Sequence, residues 1–113
     1  MTRKNTLTKA PPYAVERSIK ELGANLRTAR LRRNLTIEDV AKKIGTGPRA
    51  VADAEKGKIT SGIAIYIALL WAYDLLQAME NVADPAKDKE GLSLASRRQR
   101  ARSQMSEGLD NDF

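Results

Sequence analysis

The stretch TIEDVAKKIGTGPRAVADAEKG, from Thr36 to Gly57, leaves the chain few ways to fold. Thr36 is of the type that caps a helix N-terminus, with an acid, Asp39, three residues on. Leu35 and Val40 stand where a hydrophobic staple closes over the cap. Val40, Ala41 and Ile44 give an apolar face at helical spacing. Gly45 follows, the residue that ends a helix in the left-handed conformation without steric cost. A second helix opens at Gly47-Pro48, with proline at the first helical position, where a missing N–H costs nothing. It turns Val51 and Ala54 inward and stops before Gly57.

Two helices joined by a few residues with a glycine have helix-turn-helix geometry, which sets the second helix in a DNA major groove. The segment Gly47 to Glu55 is then the reading helix. Arg49, at its second position, points away from the Val51/Ala54 face, and arginine bidentate to guanine is the commonest specific base contact. A phosphate contact or a solvated arginine is the plainer alternative. Asp53, one turn on, can accept from a cytosine amine or pair with Arg49 four residues back. Gly47 and Pro48 enter the groove with the same helix. Lys56, Lys58, Lys42, Lys43 and Arg33 are candidates for phosphate contacts, which position a protein on DNA without specifying sequence. Solvated surface cations are the alternative for each.

Charge distribution points the same way. Residues 1–58 carry fourteen Lys/Arg against six Asp/Glu, and residues 59–113 carry six against eight. The excess positive charge lies on the half holding the helix pair, so a polyanion is the expected partner of that half. The chain has no cysteine and no histidine. Disulfides and thiolate metal sites are therefore excluded, the commonest metal ligand and general base is missing, and no glycine loop is built to cradle phosphate. An enzyme and a bound cofactor are not expected. The most apolar run, Ile63 to Tyr73, is too short to span a bilayer, and no signal-peptide segment stands at the N-terminus. A cytoplasmic protein that does not enter membranes is the expectation.

Around the helix pair, residues 1–12 read as a flexible basic arm with Arg3, Lys4 and Lys9, closed by Pro11-Pro12. A helix beginning near Pro12, with a start or a break allowed at Ser18–Glu21, carries the stripe Ile19, Leu22, Leu26, Ala29 and stops at Asn34. Ser61 is a candidate cap for a helix over Ile63 to Tyr73. That helix is apolar nearly all round and so needs burial on more than one side. One core offers one side; Ile65, Tyr66, Leu69, Leu70, Trp71, Tyr73 and Leu76 are therefore assigned to an interface with a second copy. Asp74 with Gln77 suggests a fresh cap and a further helix from Leu75 to Val82, ended by Asp84-Pro85. Residues 13–84 form the expected DNA-binding and dimerisation domain. Residues 85–113 read as a charged, mostly disordered tail, with an arginine cluster (Arg97, Arg98, Arg100, Arg102) and a helix only around Leu92 to Arg102 on binding a partner.

From Leu22 to about Leu76 the chain resembles the lambda-repressor-like (XRE, Cro-type) helix-turn-helix family, through LGANLRTARLRRNLT, DVAKKIG and VADAEKGK. The resemblance implies an all-α domain of five short helices, the second and third forming the DNA-binding unit, and homodimers on paired half-sites of double-stranded DNA. It also implies an arginine–glutamate bridge, here Arg30 with Glu55, that holds the fold rather than reads DNA. Two departures stand out. Ile37 occupies the position where the family often has a phosphate-contacting glutamine, and Pro48, Ala50 and Ala52 stand where its reading helix offers polar side chains. A narrower likeness lies in SGIAIYIALLWAYDLL followed by ADPAKDKEGLSLASRRQR, which is similar to HipB-like antitoxins encoded beside HipA-type kinase toxins. That likeness implies a repressor of its own toxin–antitoxin operon that also binds a HipA-like kinase. A free-standing regulator of a phage or mobile element, and a helix-turn-helix serving only protein interaction, are the competing expectations.

Overall fold

The computed structural model describes residues 5–111, and among these every regular element is helical. They fall into two compact units that divide between Gln77 and Ala78. Arg3 and Lys4 of the expected arm, and Asp112 of the tail, lie outside the described residues.

The first unit begins with a single turn, α1 (Thr6–Lys9), where Asn5 accepts from the Thr8 N–H; part of the expected flexible arm is thus a capped helical turn. α2 (Tyr13–Arg32) runs on without a break at Ser18. Glu21 is engaged by Arg17 at 3.0 Å, and Glu16 by Lys20 at 3.0 Å, so these i, i+4 pairs carry the helix across the point where a cap was possible. Asn34, at φ 53°, takes the left-handed turn that ends the helix.

α3 (Ile37–Ile44) opens on the full capping box: Thr36 accepts from the Asp39 N–H, and Asp39 accepts from the Thr36 N–H. Those bonds hold the Asp39 carboxyl below its ordinary pKa, the backbone N–H of Thr36 contributing most. Gly45, at φ 83°, closes the helix with its N–H on the Ala41 carbonyl. α4 (Pro48–Glu55) follows after three residues, with Gly47 as N-cap. α5 (Ile63–Ala72) starts at Gly62 rather than on a Ser61 cap.

After α5 the expectation of a fresh α-helix fails. Asp74 is not an N-cap but sits at φ 57°, and the Leu75 N–H reaches back to the Leu70 carbonyl at 2.8 Å. A short polar side chain tolerates this left-handed position, which ends α5 as glycine would. The chain then continues as a 3-10 segment, Leu76–Asn81, not as an α-helix over Leu75 to Val82.

The core of the first unit gathers Leu26 and Ala29 from α2, Val40 and Ala41 from α3, Val51 and Ala54 from α4, and Tyr66, Leu69, Ala72 and Tyr73 from α5 and its end. Tyr66, Leu69 and Tyr73 are therefore interior residues of this chain, buried in its own core rather than set on an outer face. A small domain with few large apolar residues needs the aromatic bulk of α5 for its own core.

The second unit holds a short 3-10 turn, Pro85–Lys87, capped by Asp84, and α6 (Lys89–Asn111). The described part of the tail expected to be mostly disordered is thus a 3-10 turn followed by a continuous helix, Lys89–Asn111, longer than the Leu92 to Arg102 stretch anticipated. Its residues include no proline and no β-branched side chain, and Leu, Ala, Arg, Gln and Met are strong helix formers. Asp88 accepts from the Gly91 N–H at 2.9 Å and so supplies a start.

Candidate nucleic-acid interface

The position of α4 is set from behind. Val51, Ala54 and Glu55 form its buried face. Glu55 receives Nε of Arg30 at 2.7 Å and Nη2 at 3.0 Å, a bidentate pair between α2 and α4. The third arginine nitrogen, Nη1, donates to the Leu35 carbonyl at 2.8 Å, so one guanidinium ties α2, the entry to α3, and α4. Its hydrogen bond to Glu55 raises the Arg30 pKa further above an already high value, against the opposing effect of burial. Such a pair fixes geometry more than it adds stability.

A second restraint was not visible in the sequence. Gly23 of α2 lies so close to the end of α4 that a Cβ there would stand 2.4 Å from the Ala54 carbonyl oxygen. Gly57, at φ 69°, faces back onto α2, where a Cβ would stand 2.5 Å from the Lys20 Cα. The two glycines let α2 and the C-terminus of α4 touch backbone to backbone. Gly57 is legible as a helix stop; nothing in the spacing marks Gly23 as a crossing point.

On the opposite side of α4, Arg49, Asp53 and Lys56 fall at i, i+4 and i+7, away from the buried face. Gly47, Pro48, Arg49 and Lys56 are exposed. Asp53 is half-buried and lies 3.6 Å from Lys58, so its partner is the lysine beyond the helix and not Arg49. Arg49 thus keeps an exposed guanidinium with no ion pair among the described residues. Lys42 on α3 is exposed as well.

Two further expected phosphate contacts, Arg33 and Lys43, are exposed and also bond to the chain's own backbone. Arg33 donates to the Ala29 and Tyr73 carbonyls, each at 2.9 Å, and its guanidinium lies 5.5 Å from the Tyr73 ring centre. Lys43 donates to the Ala72 carbonyl at 3.2 Å and lies 5.9 Å from the Trp71 ring centre. Both cations sit at the C-terminus of α5, where unpaired carbonyls and the helix dipole favour positive charge. Ile37, in place of a phosphate-reaching glutamine, packs against the core.

Tyr66 and Tyr73 bury hydroxyls without a hydrogen-bond partner. Burial pushes the Tyr73 hydroxyl up to about 12, with the Glu55 carboxylate adding to the rise and Arg30 and Arg33 opposing it. Burial also raises Tyr66, moderated by Ser61, which lies nearby without bonding geometry. Of the residues assigned to a dimer interface, Trp71 and Leu76 are exposed, while Ile65 and Leu70 are half-buried against the core. Ile63 and Leu75, outside that assignment, are exposed beside them in sequence.

No helix among the described residues is long and apolar enough to cross a membrane. A family model described as a helix-turn-helix domain matches residues 21–82, more than half of the chain. No curated protein and no solved structure matches it.

Proposed function

The chain belongs to the helix-turn-helix domain family, and on that premise we propose that it is a sequence-specific DNA-binding repressor of transcription that works as a homodimer. The observation that carries this reading is the outer face of α4, where Arg49 and Lys56 stand exposed on a helix locked from behind by Arg30–Glu55 and the Gly23–Gly57 crossing. A reading helix must be rigid, because a bidentate base contact tolerates little misplacement. Arg49 meets guanine; Lys56, Lys58 and Lys42 meet phosphates. Asp53 lies 3.6 Å from Lys58, which lessens the repulsion between its carboxylate and the duplex.

Exposed Ile63, Trp71, Leu75 and Leu76 favour association of two chains through the end of the first unit, which sets two half-sites about one helical turn apart. The narrower proposal is an antitoxin that represses its own operon and binds a HipA-like kinase toxin. The resemblance of the segment after α4 supports it, and the exposed arginines of α6 offer a surface to an acidic partner.

The test is a mobility-shift titration with the DNA upstream of the protein's own reading frame against a scrambled duplex. The repressor proposal expects clear preference for the upstream DNA; equal binding to both contradicts it. For the antitoxin proposal, the product of the adjacent reading frame should be kinase-like and should co-purify with this protein. An adjacent frame without a kinase removes that narrower reading and leaves the repressor standing.

A further inference from the structure

The part of α6 from Gly91 to Ser106 carries Arg97, Arg98, Arg100 and Arg102 and no acidic residue. Residues 59–113 as a whole hold more acid than base, so these cations are gathered rather than scattered. All four are exposed, and none has an ion pair among the described residues. No acid stands three or four residues from any of them, whereas α2 pairs Arg17 with Glu21 and Lys20 with Glu16 at that spacing. Instead Arg97 neighbours Arg100 at i, i+3, and Arg98 neighbours Arg102 at i, i+4, like-charge pairs that weaken a helix standing alone. A polyanion offsets that repulsion.

The placement of the arginines selects the polyanion. At helical spacing Arg97 and Arg100 fall to one side of Ala101, and Arg98 and Arg102 to the other. An α-helix about 10–12 Å across fills a B-DNA major groove about 12 Å wide, and both walls of that groove are phosphate strands. A helix seated there gives one arginine row to each wall. The major groove of A-form RNA is too narrow to admit it. An acidic protein surface meets a helix from one side and leaves a row without a partner, and a second copy of α6 sets arginines against arginines. A membrane surface needs a continuous apolar face; here Leu92 falls opposite Leu94 and Met105, and Arg98 interrupts the strip between those two.

We propose that α6 is a second DNA-binding element, which lies in a major groove of duplex DNA and grips phosphates of both strands without reading sequence. This contact needs only duplex DNA and is independent of what α4 reads.

The full-length protein is titrated against a random DNA duplex across a salt series. Replacing all four arginines by glutamine, a good helix former, should reduce the slope of log affinity against log salt by about 3–4. Each row changed alone, Arg97→Gln with Arg100→Gln or Arg98→Gln with Arg102→Gln, should reduce it by about two, and lysine at all four positions should restore it. Circular dichroism should show equal helix content throughout; were the fourfold variant to lose helix, the single change Arg100→Gln, with a loss of about one, decides instead. A slope that no variant alters overturns the proposal. So does a larger arginine-dependent loss on an RNA duplex, phosphatidylserine vesicles or polyglutamate than on DNA, which would name another occupant. Preference for a selected over a random duplex belongs to α4 and should survive these substitutions. Absence of any preferred duplex, with the slope still falling, contradicts the repressor reading and supports this one.

Discussion

Tyr73 is the residue where burial and chemistry conflict most plainly, since its hydroxyl is interior and unpartnered. Its folded-state pKa lies at about 12, above the ordinary tyrosine value. The unfolded chain therefore loses this proton first as pH rises, and stability falls between about pH 10 and 12. Tyr73→Phe should flatten that alkaline slope and leave neutral stability unchanged or slightly higher, as removal of an unsatisfied buried group allows. Denaturant titration at neutral pH and across the alkaline range checks both. Glu55→Ala acts in the opposite sense: it strands the Arg30 guanidinium in the interior and should cost about 3–5 kcal/mol in the same assay. The Arg30–Glu55 pair was legible in the sequence because two opposite charges at helix ends, with a family resemblance, name each other. The roles of Arg33 and Lys43 were not, because their partners are backbone carbonyls that every residue carries. Gly23 was illegible for a related reason: a glycine inside a helix signals a close approach without saying to what.

At the scale of elements, the signals that held were local ones. The Thr36–Asp39 box, the Gly45 turn and Pro48 at the start of α4 each concern residues within four of one another, where capping chemistry decides conformation. The elements that depart from expectation depend on something beyond that window. Asp74 has the residue type of a cap, yet the end of α5 uses it in a left-handed turn. Charge alone makes the tail look disordered, while the helix Lys89–Asn111 follows from its many strong helix formers and its lack of proline and β-branched residues. The end of α5 also supplies a test, because Arg33 and Lys43, although exposed, close its carbonyls. Arg33→Ala and Lys43→Ala should each lower thermal stability while leaving the salt dependence of DNA binding unchanged. Loss of a phosphate contact would instead reduce that slope by about one per residue. Melting curves paired with binding at several salt concentrations separate these outcomes.

For the whole molecule, the first unit has the parts of a DNA reader, and the charge balance of residues 1–58 supplies attraction to a polyanion. Its exposed apolar residues at and after α5 supply a reason to pair. Trp71→Ser should shift a dimer toward monomer in sedimentation equilibrium and weaken binding to a paired half-site more than to a single one. An unchanged association state would remove Trp71 from the interface. Whether α4 reads bases through Arg49 while neighbouring lysines hold phosphates is decided by comparing two variants on one selected duplex and one random duplex across a salt series. Arg49→Ala should bring the two duplexes together, a loss of preference of about 1–3 kcal/mol. Lys56→Ala should weaken both alike and flatten the salt dependence. The same effect from both substitutions would show that Arg49 holds phosphate and does not read bases.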